Sequence, residues 1–171
     1  LELAREAGEL IVDQRNNAEL THQYKNGQEL VTNADLLADT LIIESIKASY
    51  PSHHILSEES SPEAISIADL DAPLWIIDPI DGTVNYAHGH IQSAVSIAYV
   101  EEGNIQHGVV FNPFTDEMFS AQLGGGAFIN GKAISVASES DLRRSIIATG
   151  FPYDKATIEP ILKRVSAMLR E

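Results

Sequence analysis

No cysteine occurs among the 171 residues, which excludes disulfides, thiolate metal sites and a cysteine nucleophile. Positive charge is also scarce: 11 Lys and Arg face 25 Asp and Glu, a formal net charge of −14. That field repels nucleic-acid backbones and anionic membranes, so direct nucleic-acid binding is not expected. A small anionic substrate would need cations at its site to receive it. Long hydrophobic runs are missing as well. No apolar stretch approaches the roughly 20 residues of a membrane-spanning helix. No basic, apolar, small-residue leader opens the chain, so a cytoplasmic location without membrane association is the expectation. Leu1 in place of Met points to a start that lies further upstream, and the chain stops inside a helical pattern, so continuation past Glu171 is expected.

What is present reads as one α+β unit and the opening of a second. Leu3, Ala7, Leu10 and Ile11 keep helical spacing, and Asn26-Gly27 marks a break. Ala38, Leu41, Ile42, Ser45 and Ile46 then share one face of a second helix, starting near Thr32 or Asn33 and stopping before Pro51. The pair Ile55-Leu56 and the run Leu74 to Ile77 read as short strands around a polar loop. "SAVSIAYVEEGNIQHGVVFNP" predicts two strands joined at Glu102-Gly103-Asn104, "EMFSA" a third, and Asn130-Gly131 a further hairpin; "LGGGA" reads as a turn. The sum is an antiparallel sheet flanked by paired helices over residues 1–140. Residues 141–171, with "SIIATGFP" and a helix through Ile158, Ile161, Leu162 and Val165, read as the start of a C-terminal α/β part whose remainder is absent.

The chemistry concentrates in "WIIDPIDGTVN", where Asp78 and Asp81 end an apolar strand. Carboxylates there are costly unless paired or bound to a metal, and two together repel each other. Pro79 is expected to turn the chain out of the sheet, Gly82 to permit a close backbone approach, and Thr83 to offer a hydroxyl at a helix start. A calcium-binding EF-hand loop counted from Asp78 would require glutamate where Gly89 stands, so that pattern fails. An aspartyl-phosphate motif D-x-D-G-T has its acids two apart, whereas here they are three apart. Glu58 and Glu59 follow another short apolar pair and would complete a hard oxygen set suited to Mg²⁺. "TNAD", residues 32–35, fits a helix capping box through Thr32 and Asp35, and a functional role for Asp35 carries equal weight. Asp and Gly favour turns in any protein, but a mere strand-end turn does not account for the whole string. The six histidines, including His53-His54 and His88 and His90, have no metal-binding helical spacing and read as packing or surface groups.

"ELVTNAD", "YPSHHILSEES", "WIIDPIDGTVNYAHG", "AVSIAYV" and "GAFINGKAISVA" together resemble the inositol monophosphatase family of lithium-sensitive, Mg²⁺-dependent phosphatases, in order and spacing and nearly end to end. "IIATGFP" is similar to its bacterial inositol-1-monophosphatase branch. The resemblance implies the layered αβαβα sugar-phosphatase fold, two or three Mg²⁺ ions, inhibition by Li⁺ and a homodimer. It implies that Glu58, Asp78 and the Ile80 carbonyl hold one ion, that Asp78 and Asp81 share a second, and that Asp35 and Thr83 activate the attacking water. Gly82 and Thr83 amides would hold phosphate oxygens, with Lys25 and Glu59 as further candidates. The implied substrate is a small phosphorylated polyol or sugar, first myo-inositol 1-phosphate. Fructose-1,6-bisphosphatase and 3′-phosphoadenosine nucleotidase activities, or a non-catalytic member acting through a protein partner, are the alternatives. Two departures stand out. Ser57 replaces the usual glycine before the glutamate pair and is not expected to remove a ligand. The family's later Trp-Asp metal motif is missing, Trp75 being the only tryptophan.

Overall fold

Alanines set the spacing of the first two helices. α1 (Glu2–Asn17) buries Ala4, Ala7 and Ile11 on one face, and α2 (Asn33–Ser49) buries Ala34, Ala38, Ile42 and Ile46 at four-residue steps. Small side chains on facing ridges let helix backbones approach closely, and α1 and α2 pack on each other. The computed structural model of the chain describes residues 1–17, 20–25, 29–60, 72–150 and 158–170. A short hairpin of β1 (His22–Lys25) and β2 (Glu29–Thr32) stands between the helices. Strands this short carry too little alternation to be read from sequence, where only the break at Asn26-Gly27 was visible; residues 26–28 lie outside the described ones.

The sheet follows in chain order: β3 (His54–Ser57), β4 (Leu74–Asp81), β5 (Ala94–Glu101), β6 (Asn104–Asn112), β7 (Glu117–Gln122), β8 (Gly126–Ile129) and β9 (Lys132–Ile134). Its neighbours are antiparallel, as expected, except for the parallel pair β3–β4 at one edge. The predicted turns form where two successive residues adopt positive φ: Glu102-Gly103 at 51° and 73°, and Asn130-Gly131 at 47° and 76°. These are the conformations that match hairpin twist.

Both helices cover one face of the sheet, α2 over β4 and α1 over β5 and β6, enclosing Ile77, Ile80, Val95, Ile97, Phe111 and Met118. At the crossing of α1 over β6, a Cβ on Gly8 would lie 2.5 Å from the Phe111 ring, so a larger residue there forces that buried ring to move. A short helix α3 (Thr83–Ala87) follows β4 directly. α4 (Ile158–Met168) forms as its spacing predicts. Residues 145–150 of "SIIATGFP" have no regular structure, with Ile146 fully exposed, and 151–157 lie outside the described residues.

Candidate active site

β4 does not end at Asp78. It stays in the sheet through the buried Pro79 to Asp81, contrary to the expectation that Pro79 would turn it outward. Asp78 stands opposite Ser96 and Asp81 opposite Ala94, three steps on β4 against two on β5. The extra residue is a β-bulge, and the proline's missing N–H falls within this irregularity. Residues three apart on an even strand face opposite sides of the sheet. With one residue absorbed by the bulge, both aspartates come to the same side.

The parallel edge strand delivers Glu58. Ser57 pairs with Ile77, and the Glu58 N–H donates to the Ile77 carbonyl at 3.1 Å, which sets Glu58 beside Asp78. Burial pushes the Asp78 carboxyl up to about 8, helped by the charge of Glu58 and a side-chain hydrogen bond with it, and by the charges of Asp81 and Asp35. Among the described residues no three His, Asp or Glu side chains stand in metal-holding geometry. The two observations differ in range: ligation needs oxygens about 2–2.6 Å from one point, whereas charges couple well beyond that. The crowding of four carboxylates is therefore the informative feature, and an all-oxygen donor set fits a hard divalent cation.

α2 supplies the other half of the site. Thr32 caps it in a reciprocal box: its hydroxyl accepts from the Asp35 N–H, and its own N–H donates to Asp35 Oδ2 at 2.8 Å. The Thr32 hydroxyl also lies 2.5 Å from Oδ2. Asp35 Oδ1 accepts from Thr83 Oγ1 at 3.0 Å, so the cap reading and the site reading hold for one side chain. Burial raises the Asp35 carboxyl above its ordinary range, while the hydrogen bonds from Thr32 and Thr83 pull it back. Thr83 does not cap α3: Gly82 is the N-cap, in the left-handed region with φ 86°, and no side chain caps the helix. The Thr83 hydroxyl instead points back, 3.0 Å from Asp35 Oδ1 and 3.0 Å from the Ile80 carbonyl. It has one proton for two acceptors.

The turn carrying these groups is pinned to the scaffold. Buried Tyr86 donates its hydroxyl to the Ile11 carbonyl at 2.7 Å, and Asn85 Nδ2 donates to the Gln92 carbonyl at 2.8 Å. Arg15 donates to the His90 carbonyl at 2.9 Å and lies 3.4 Å above the Phe114 ring. His53 accepts from Trp75 Nε1 at 3.0 Å and stacks on Tyr50, a packing role as expected. Lys25 ends β1 opposite Glu29, and its side chain lies outside what is described. Glu59 is half-buried, with its N–H donating to Ser57 Oγ at 3.2 Å. Sequence reasoning missed Asp39, buried on α2, whose carboxylate accepts the Ser57 hydroxyl. Its position one helical turn beyond Asp35 was the available signal.

The model of the inositol monophosphatase family matches residues 1–169. Inositol monophosphatase 2 of Solanum lycopersicum is 39% identical over 173 residues, covering 99% of this chain and 64% of that protein. Nus factor SuhB of Vibrio cholerae is 40% identical over 170 residues, covering 98% of this chain and 62% of that protein. The crystal structure of extragenic suppressor protein suhB from Bartonella henselae aligns with a TM-score of 0.89 at 33% identity, over 99% of this chain and 65% of that one. The chain thus spans somewhat under two thirds of the length of these relatives. With the family model matching residues 1–169 and the fold shared over nearly the whole chain, the chain belongs to the inositol monophosphatase family.

Proposed function

We propose that the protein hydrolyses a small phosphate monoester, first myo-inositol 1-phosphate, with Mg²⁺ as cofactor and Li⁺ as inhibitor. Glu58, Asp78, the Ile80 carbonyl and Asp81 are the groups that would hold Mg²⁺, in two or three sites. Bound there, the ion neutralises phosphate charge and makes a water molecule more acidic. The observation that carries the reading is the Thr83–Asp35 hydrogen bond set beside three further carboxylates.

In this arrangement Thr83 Oγ1 takes a proton from the attacking water as its own proton passes to Asp35 Oδ1. The raised affinity of buried Asp35 for a proton suits it to that role. The water oxygen bonds to phosphorus as the P–O ester bond breaks; its electron pair leaves on the alcohol oxygen, which takes up a proton from solvent, and no covalent enzyme intermediate is needed. Gly82 and Thr83 amides would hold phosphate oxygens, with Lys25 and Glu59 in support. The names of the inositol monophosphatase relatives favour a phosphorylated polyol, and a cytoplasmic homodimer completes the proposal. Among the described residues no helix is long and apolar enough to cross a membrane. The test is Mg²⁺-dependent phosphate release from myo-inositol 1-phosphate, fructose 1,6-bisphosphate and 3′-phosphoadenosine 5′-phosphate, with and without Li⁺. Lithium-sensitive release fastest from the inositol ester supports the reading; release from none of the three contradicts it.

A second reading, regulation through a protein partner, is favoured by the likeness to Nus factor SuhB. The net charge of −14 directs such a role to a protein rather than to direct RNA contact. Pull-down of a defined protein partner by a hydrolysis-dead Asp81→Asn variant separates the two functions.

A further inference from the structure

α2 buries two aspartates one turn apart, Asp35 and Asp39, at 1% and 5% exposure. Asp35 reaches the turn after β4 through Thr83, and Asp39 reaches the end of β3 through Ser57. The Ser57 hydroxyl, itself 1% exposed, donates to Asp39 Oδ1 and accepts the Glu59 N–H at 3.2 Å. Glu58, between them, is tied through its own N–H to the Ile77 carbonyl at 3.1 Å. The backbone on both sides of Glu58 is therefore fixed, one side by the parallel sheet and the other by a carboxylate, hydroxyl and amide in series. A charged acceptor on one side of a hydroxyl strengthens the bond it accepts on the other.

We propose that Ser57 and Asp39 are positioning residues that aim Glu58 at Asp78, so that α2 clamps both halves of the site with one ridge of acids. This rests on the reading of Glu58 and Asp78 as cation ligands. It assigns a task to the position where the chain departs from the glycine of the family resemblance. Ser57→Ala removes the donor to Asp39 and the acceptor for Glu59 together, while Ser57→Thr keeps the hydroxyl. Asp39→Asn keeps an acceptor of the same shape without its charge.

The experiment is Mn²⁺ binding to the chain, read by electron paramagnetic resonance of the free ion, with thermal unfolding of the same variants in chelator. Support consists of an apparent Kd weakened about tenfold in Ser57→Ala, as for other groups that orient a metal ligand. Ser57→Thr should stay within about twofold of wild type, Asp39→Asn should fall between, and Ser57→Ala/Asp39→Asn should be no weaker than Ser57→Ala alone. Unchanged Mn²⁺ affinity in Ser57→Ala, even with a lowered melting temperature, overturns the positioning role. Failure of the underlying site reading is distinguishable, because then wild type and Asp78→Asn bind Mn²⁺ equally or neither binds it.

Discussion

The hydroxyl of Thr83 stands 3.0 Å from the carboxylate of Asp35, joining the turn after β4 to the first turn of α2 across 48 positions of sequence. If this pair moves the proton, Thr83→Val, which keeps the shape and deletes the hydroxyl, should lower phosphate release on the order of 100-fold. Substrate affinity should change far less. Steady-state kinetics on myo-inositol 1-phosphate check this, and an unchanged kcat removes Thr83 from the reaction.

Thr32 serves stability through the same carboxylate. Thr32→Ala deletes the cap of α2 and the hydroxyl that neighbours Asp35 Oδ2, both buried. Stability should fall by about 1–2 kcal/mol, the upper part of the range for a lost cap. Chemical denaturation measures it, and a loss under about 0.3 kcal/mol would contradict the reciprocal box.

Asp78 predicts how stability varies with pH. Its folded carboxyl titrates at about 8, against about 3.9 in an unfolded chain, so between those values the folded state holds a proton that the unfolded state has lost. Without divalent cation, stability should therefore fall as pH rises from about 4 to about 8, and then level. Buried Asp35, raised in the same direction, adds to the slope. Mg²⁺ should raise the melting temperature more at pH 8 than at pH 5, and Asp78→Asn should flatten the metal-free slope. Scanning calorimetry in chelator and in Mg²⁺ reads both; a wild-type slope of zero or the opposite sign contradicts the crowding.

Gly82 holds Thr83 in place. At φ 86° an alanine is strained, and its Cβ would meet the Gln92 carbonyl at 2.8 Å. Gly82→Ala should cost roughly 1–3 kcal/mol and reduce activity beyond what the lost stability explains, because the backbone shift moves Thr83. Retained activity at temperatures well below unfolding would show that the turn tolerates displacement.

Much of this corner was legible in the sequence because its signals are local. Thr32 and Asp35 declare the start of α2 by capping chemistry, and Asn130-Gly131 declares its hairpin by its positive-φ preference. The three-residue spacing of Asp78 and Asp81 was legible, but not how the strand brings both to one side. Pro79 suggested an exit from the sheet, and only pairing with β5 shows a bulge that keeps both acids on one side. The parallel seating of β3 on β4 was not readable, since "HILS" carries no mark of its partner. Ser57 and Asp39 meet across 18 positions, a contact that exists only once α2 lies against the sheet.

The central claim is that the acids gathered around Asp78 bind the cation on which hydrolysis depends. Its most direct test is the rate of phosphate release from myo-inositol 1-phosphate as a function of Mg²⁺ concentration, in wild type and in Asp81→Asn of equal helical content. The prediction is saturable Mg²⁺ activation in wild type and a rate lower on the order of 100-fold or more in the variant. Equal rates in Mg²⁺ and chelator, or full activity in Asp81→Asn, would contradict it.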